Sequence, residues 1–313
     1  MSIRLFVTAL ACLLIIPVTG ALEVGGAAPD LAIAKVLKGA EIKPALKDSG
    51  AITVVEFWAT WCGPCRQSIP HLTELQAKYK DKNVRIIGIT DETEAQVAGF
   101  VKDQGDAMDY TVALDKDRKT WEAYAVPFGV SGIPHAFVVD AAGTLLWHGH
   151  PMAGLDEVLA KAVEGDLDAN SAREQAATDA LQKELGELTM IWAQEYLVLS
   201  KYGRDKAGAD QIGKKILECG YLDGVFYSQF AWTMLNSEGL ALRDLPYMLK
   251  VAELANALAK GESADILDTL ALAQFRAGSA EQAVTTQERA IALCKNDELM
   301  VQLKERLAQY KGN

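Results

Sequence analysis

An α/β domain followed by an all-α domain is the architecture this sequence predicts, on three observations. Between residues 22 and 166, short β-branched runs alternate with segments of helical period. Beyond Gly165-Asp166 nearly every segment has helical period and the β-branched runs cease. At 313 residues the chain is also too long for one small core. Strands alternating with helices imply a sheet with parallel pairs, covered by helices on both faces.

The elements follow in order. Arg4 gives a positive start, Leu5 to Ile16 is almost wholly apolar, and Pro17-Val18-Thr19-Gly20-Ala21 supplies a break and small residues. This is the pattern of a secretory signal peptide over residues 1–21, and Cys12 leaves with it. The apolar run is shorter than the ~20 residues that span a bilayer. The expected location is therefore periplasmic or otherwise extracytoplasmic, with an uncleaved signal serving as anchor as the alternative. Leu31 to Val36 and Ile42 to Leu46 alternate as opening strands. Ile52-Thr53-Val54-Val55-Glu56-Phe57-Trp58, bounded by Gly50, reads as a buried strand. Ile69, Leu72, Leu75 and Tyr79 recur at helical spacing between Cys62 and Lys80, and Val84 to Ile89 is the next strand. Thr93 opens a helix to Asp103 with Glu94 in its first turn, as the helix dipole favours. Tyr110 to Leu114 reads as a strand, Arg118 to Ala125 as a helix, and Ala136 to Val139 as a strand. The Asp140-Ala141-Ala142-Gly143 turn then leads into Thr144 to Trp147 as a hairpin, and Leu155 to Glu164 closes the first domain as a helix. The second domain, 167–313, has turns at Tyr202-Gly203, Cys219-Gly220, Lys260-Gly261 and Ala277-Gly278.

Composition removes several function classes. A formal charge of −11 without any basic run excludes a general nucleic-acid partner, because polyanion binding rests on clustered Lys and Arg. No phosphate loop or dinucleotide glycine motif is present. His148-Gly149-His150 raises the question of a metal, but two imidazoles at a hairpin end without clustered carboxylates or cysteines read better as surface residues. Cys62 and Cys65 lack a second ligand pair at zinc spacing, so no metal is expected.

The chemistry lies at Trp61-Cys62-Gly63-Pro64-Cys65. Two cysteines three positions apart close too short a loop to stabilise a chain, so they read as chemical rather than structural. A thiol attacks as its thiolate, and a cysteine where a strand hands over to a helix meets the free N–H groups and dipole that favour negative charge. Pro64 suits a first turn that has no backbone partner to lose. Cys62 is therefore expected to be the exposed nucleophile and Cys65, one turn in, the shielded resolving thiol. Glu56, six residues before Cys62 on the buried strand, is placed to relay the proton Cys65 must lose, its pKa raised by burial toward neutrality. The alternative is a Glu56 facing solvent near the strand end. Cys219 and Cys294 are either buried free thiols or one structural bridge.

The run from Glu56 to Arg66, with Gly132-Ile133-Pro134 about seventy residues on and Phe137-Val138-Val139-Asp140 following, resembles the thioredoxin superfamily, and within it the exported TlpA/ResA-like thiol-disulfide oxidoreductases. The resemblance covers residues 27 to 164. It implies that Pro134 is a cis-proline facing the disulfide and that Ile133 offers backbone hydrogen bonds to an extended substrate. The surface meeting substrate then comprises Trp61, Gly63, Pro64, Ile133 and Pro134, with Trp58 a packing residue. Glu56 stands where many thioredoxins carry a buried Asp. Asp91 to Asp117 adds a helix and strand, as that branch does, and His135 replaces the Thr common in reductases, which reads as a structural His. A peroxiredoxin-type peroxidase is the nearest rival, but its motif requires Pro at 55 and Thr at 59, where Val55 and Ala59 stand.

In the helical half, Asp265 to Leu293 resembles a tetratricopeptide repeat, with Leu267, Leu270, Ala271, Phe275, Gly278, Ala283 and Ala290 at the matching spacing. Phe226 to Ala259 reads as a degenerate partner split at Asn236 to Asp244, with Asp168 to Lys215 as capping helices. Such a domain either docks a partner protein or packs as an appendage. The expected function is an exported enzyme that reduces protein disulfides through the Cys62/Cys65 dithiol, with no cofactor beyond that redox-active pair. Protein disulfides are its substrates and a membrane thiol-electron transporter supplies its electrons. A partner-recruiting scaffold with a regulatory redox centre, or a thiol peroxidase, are the alternatives.

Overall fold

The β-branched run at 52–58 forms the third strand inward from one edge of a six-stranded sheet. β1 (Ile33–Lys38), β2 (Ile52–Phe57), β3 (Val84–Thr90), β4 (Thr111–Asp115), β5 (His135–Val139) and β6 (Leu145–Gly149) lie in the order β1-β4-β3-β2-β5-β6. β2 and β3 pair in parallel, as do β3 and β4. The pairs β1–β4, β2–β5 and β5–β6 are antiparallel. The computed structural model describes residues 22–203 and 205–312, so the predicted signal peptide at 1–21 lies outside the described residues.

β2 is apolar on both faces because both are covered. Val54 and Trp58 join Ile86, Val112, Ala136 and Val138 on one side, packed with Cys65, Ile69, Leu72 and Leu75. Val55 and Phe57 join Ile87, Ile89, Phe137 and Val139 on the other, packed with Tyr124. Side chains alternate along a strand, so Glu56 falls on the face of Val54 and Trp58. α1 (Gly63–Tyr79) buries Ile69, Leu72, Leu75 and Tyr79, the four positions its periodicity marks. Each contributes roughly 2 kcal/mol by burial. α2 (Glu94–Gln104) begins with a capping box in which Thr93 and Gln96 satisfy each other's backbone N–H groups. α3 (Lys119–Tyr124) and α4 (Leu155–Glu164) follow, and α4 stops at Gly165, whose φ of 82° is costly for any residue with a Cβ.

One opening strand is corrected. Ile42 to Leu46 forms no strand, because Pro44 lacks the N–H a ladder needs. Its carbonyl instead accepts from Leu31 N at 2.8 Å, and the segment ends in a short 3₁₀ turn at Leu46–Asp48.

The contacts divide the chain into two units, Met1–Ala177 and Thr178–Asn313, the division falling within α5 (Ala169–Tyr202). The second unit is helical throughout its described residues: α6 (Lys206–Glu218), α7 (Gly224–Asn236), α8 (Leu245–Leu258), α9 (Ala264–Arg276), α10 (Ala280–Leu293) and α11 (Asp297–Tyr310). Their starts are written locally. Asp205, Asp223, Asp244, Ser263 and Asn296 each accept a first-turn N–H. The core is built around Ile212, Ile216, Tyr227, Phe230, Met248 and Ile266. Under it, buried Asp268 is held by Arg306 (Oδ2 to Nη2 2.6 Å) and Gln287 (2.8 Å), and Arg306 stacks over Trp232. Cys219 and Cys294 are free thiols, so the bridge is absent. Among the described residues no helix is long and apolar enough to cross a membrane.

Candidate active site

Cys62 is the N-cap of α1, with extended backbone (φ −79°, ψ 107°), and its Sγ accepts the Cys65 N–H at 3.1 Å. Gly63 and Pro64 form the first turn, and Cys62 and Cys65 are joined by a disulfide with Cα atoms 5.2 Å apart. An N-cap sulfur in this place receives an oriented N–H and the positive end of the helix dipole, which together favour the thiolate once the bond is opened.

The Ile133–Pro134 peptide is cis. The Ile133 carbonyl oxygen lies 3.7 Å from Cys62 Sγ. This is a contact rather than a hydrogen bond, since a disulfide sulfur carries no proton. It also corrects the expectation of an exposed Cys62: the residue is 4% exposed and Cys65 is fully buried, because the 133–134 segment sits against the sulfur. Trp61 is the exposed member of the motif, at 74%, while Trp58 is buried. The sequence thus brings Cys62, Cys65, Gly63, Pro64, Trp61 and Ile133-Pro134 to one place.

Glu56 is 1% exposed, so the solvent-facing alternative is excluded. Neither carboxylate oxygen has a hydrogen-bond partner. Burial raises its pKa from 4.5 to about 8, so at neutral pH it is mostly the neutral acid. Its side of the sheet is the one carrying the buried cysteines.

Three features escaped the motif reading. Glu92, just beyond β3, clamps the approach to the cysteines: Oε2 accepts Thr60 N at 2.6 Å and Oε1 accepts Thr60 Oγ1 at 2.7 Å. An acid in a polar loop gives no signal of so distant a partner. Beside the motif a cavity of about 380 Å³ is lined by Phe57, Trp61, Asp91, Arg118, Trp121 and Ile133. Arg118 pairs with Asp91 and lies over Trp121 at its mouth. His148 is half-buried rather than fully exposed: its Nδ1 meets His135 Nε2 at 3.0 Å, and its ring packs on Phe128 at 4.0 Å. Burial and the neighbouring imidazoles lower the His135 pKa to about 4, so the pair is neutral at pH 7. His150 Nδ1 instead accepts Met152 N at 3.2 Å.

A strand-to-helix disulfide opposite a cis-proline, on a mixed sheet covered by helices, defines a dithiol-disulfide oxidoreductase of thioredoxin-like fold. The chain is similar to several known proteins. A family model described as the AhpC/TSA family matches residues 24–148. The thiol-disulfide oxidoreductase ResA of Bacillus thuringiensis (strain Al Hakam) is 36% identical over 127 residues, covering 40% of this chain and 68% of its own length. The thiol:disulfide interchange protein HelX of Rhodobacter capsulatus is 37% identical over 99 residues, covering 31% of this chain and 51% of that protein. A solved structure, a putative thiol:disulfide interchange protein DsbE from Chlorobium tepidum, is 30% identical with a TM-score of 0.39, covering 46% of this chain and 99% of that one. The chain belongs to the ResA-type thiol-disulfide oxidoreductases. Val55 and Ala59 still stand where a peroxidase motif needs Pro and Thr.

Proposed function

We propose that this protein is an extracytoplasmic reductase of protein disulfides. The observation that carries the reading is the N-cap sulfur of Cys62, with the Cys65 N–H donated to it. In the reduced enzyme the Cys62 thiolate attacks one sulfur of a substrate disulfide and the other sulfur leaves as a thiol. Glu56 releases its own proton to solvent, accepts that of Cys65, and Cys65 attacks Cys62 Sγ. The Cys62–Cys65 bond forms, the bond to substrate breaks, and two electrons have moved to the substrate. Trp61, Gly63 and Pro64 form the rim on which an extended substrate lies, with Ile133 and Pro134 across from it. Gly-Pro between the cysteines favours reduction over oxidation.

Residues 1–21 serve as the export signal in this reading, 22–166 as the redox domain and 167–313 as a tetratricopeptide-like helical domain. α9 and α11 begin at 264 and 297, 33 residues apart and close to the roughly 34-residue period of such repeats, whereas α7 begins 40 residues before α9, at 224, as a degenerate repeat would. That domain docks a partner protein. Reduction outside the cytosol requires electrons from across the membrane, so a membrane thiol-electron transporter regenerates the dithiol.

The test is the reduction potential of the Cys62/Cys65 pair together with insulin reduction. A potential near −270 mV supports the reductase, whereas one near −120 mV means an oxidant. Cys62→Ser abolishes insulin reduction. If the double variant C62S/C65S loses that activity yet keeps every biological function, the helical domain is the working part and the redox centre is secondary.

A further inference from the structure

Glu56 is not alone in lacking a partner. Both its oxygens, the indole Nε1 of Trp58 and the hydroxyl of Tyr110 are buried without hydrogen-bond partners. The three residues are 1, 2 and 4% exposed. Buried polar groups are nearly always paired, so a set of orphaned atoms inside one core requires a reason.

A glycine brings them together. Gly88 of β3 stands opposite Glu56 in the parallel β2–β3 register, where strands run about 4.8 Å apart. A Cβ at position 88 would meet Trp58 Nε1 and Tyr110 Cε2, each at 3.1 Å. The space a side chain would fill beside Glu56 is thus taken by two groups that carry donors and nothing else the acid can use. The elements packed on this face bring few other titratable groups. α1 and its N-cap supply Cys62, Cys65 and Tyr79, and β3, β5, α2 and α4 add apolar side chains, while Ser68 of α1 and Thr90 of β3 are the buried polar residues of these elements. Arg66 of α1 is exposed above the Phe100 ring that packs on Trp58, and His71 of α1 pairs with Asp156 of α4 at 3.0 Å. Burial holds the Tyr110 pKa well above its usual value, and the charge of Glu56, when present, adds to the effect.

We propose that the Tyr110 O–H and the Trp58 N–H are the donors that stabilise the Glu56 carboxylate while it is charged, which makes both positioning residues for proton transfer at Cys65. The inference rests on the reading of Glu56 as the proton acceptor. In the oxidised protein Glu56 holds its proton and the two donors are idle. Before resolution Glu56 gives its own proton up to solvent, and the Tyr110 and Trp58 donors beside the buried carboxyl receive the charge that forms. It then takes the Cys65 proton as that sulfur bonds to Cys62. The bond from Cys62 to the substrate sulfur breaks, and the departing substrate thiolate takes its proton from water.

The experiment uses the reduced full chain with Cys12, Cys219 and Cys294 changed to Ser and an aromatic disulfide reagent, DTNB. The first thiolate released reports attack by Cys62, and the second reports resolution by Cys65. Wild type shows a pH midpoint in the second phase that Glu56→Gln removes. Tyr110→Phe moves that midpoint up by about one pH unit, as the loss of one hydrogen bond to a charged group requires, and leaves the first phase alone. Trp58→Phe moves it in the same direction. Deleting an unpartnered hydroxyl costs the oxidised protein no hydrogen bond, so its melting temperature is unchanged or higher. If Glu56→Gln removes the midpoint while Tyr110→Phe and Trp58→Phe leave it in place, the inference is overturned and the Glu56 reading stands. If Glu56→Gln keeps the wild-type profile, both fall.

Discussion

Replacing Glu56 by Gln removes a titration without removing volume, and its consequence for stability follows from the burial of the site. The folded protein holds the proton of Glu56 with a pKa raised from 4.5 to about 8. A carboxyl shifted upward binds its proton more tightly when folded, so its contribution is fully present below the unfolded pKa and is lost as pH rises through the folded one. At 1.36 kcal/mol per unit this amounts to about 5 kcal/mol lost between pH 4.5 and above pH 8. Gln carries no such term. The stability of Glu56→Gln relative to wild type therefore grows by roughly 2–3 kcal/mol between pH 5 and pH 7. The assay is urea unfolding of the oxidised proteins across that range, followed on peptides from β2 by pulsed hydrogen exchange. Parallel curves for the two proteins would show that burial does not hold this carboxyl neutral and that Glu56 is no proton relay.

Other perturbations have equally definite outcomes. Glu92→Ala frees Thr60 N and Oγ1 and costs about 2 kcal/mol, read as a lower unfolding midpoint in the first unit; an unchanged midpoint means the clamp carries no energy. Arg306→Ala leaves the buried Asp268 carboxylate with Gln287 alone and destabilises the second unit by about 3–5 kcal/mol in urea titration, and a loss below 1 kcal/mol would contradict the pairing. His135 has its pKa depressed to about 4, so stability is present above pH 6.5 and falls as pH drops toward 4. His135→Phe should flatten that acid loss in unfolding measured from pH 7 to pH 4, and an equal slope in the variant sinks the reading.

The elements legible in the residues were those with strong local signals. β2 is β-branched and bounded, α1 carries its apolar residues at helical spacing, and α4 spans Leu155–Glu164 as its periodicity indicates. In the second unit the turns at Tyr202-Gly203, Cys219-Gly220, Lys260-Gly261 and Ala277-Gly278 fall where one helix hands over to the next, while the Asp, Ser and Asn caps at the helix starts emerge only from the structure. Ile42 to Leu46 misled because alternation alone cannot weigh a missing N–H at Pro44. His148 misled because its partner, His135, comes from the neighbouring strand rather than from the His148-Gly149-His150 run.

By itself the sequence determined the nucleophile motif, because the thiols, the two-residue gap and the first-turn proline are consecutive and their chemistry is local. It also determined that Glu56 lies on a strand among apolar neighbours. Only the tertiary structure decided which face that acid occupies and how completely water is excluded from it. Only the fold decided that Gly88 leaves room for Trp58 and Tyr110 beside it, and that Glu92 reaches back to Thr60. The physical reason is the same in each case. A pKa or a clamp depends on what surrounds a group in space, and strand pairing joins residues whose separation along the chain carries no signal of the contact.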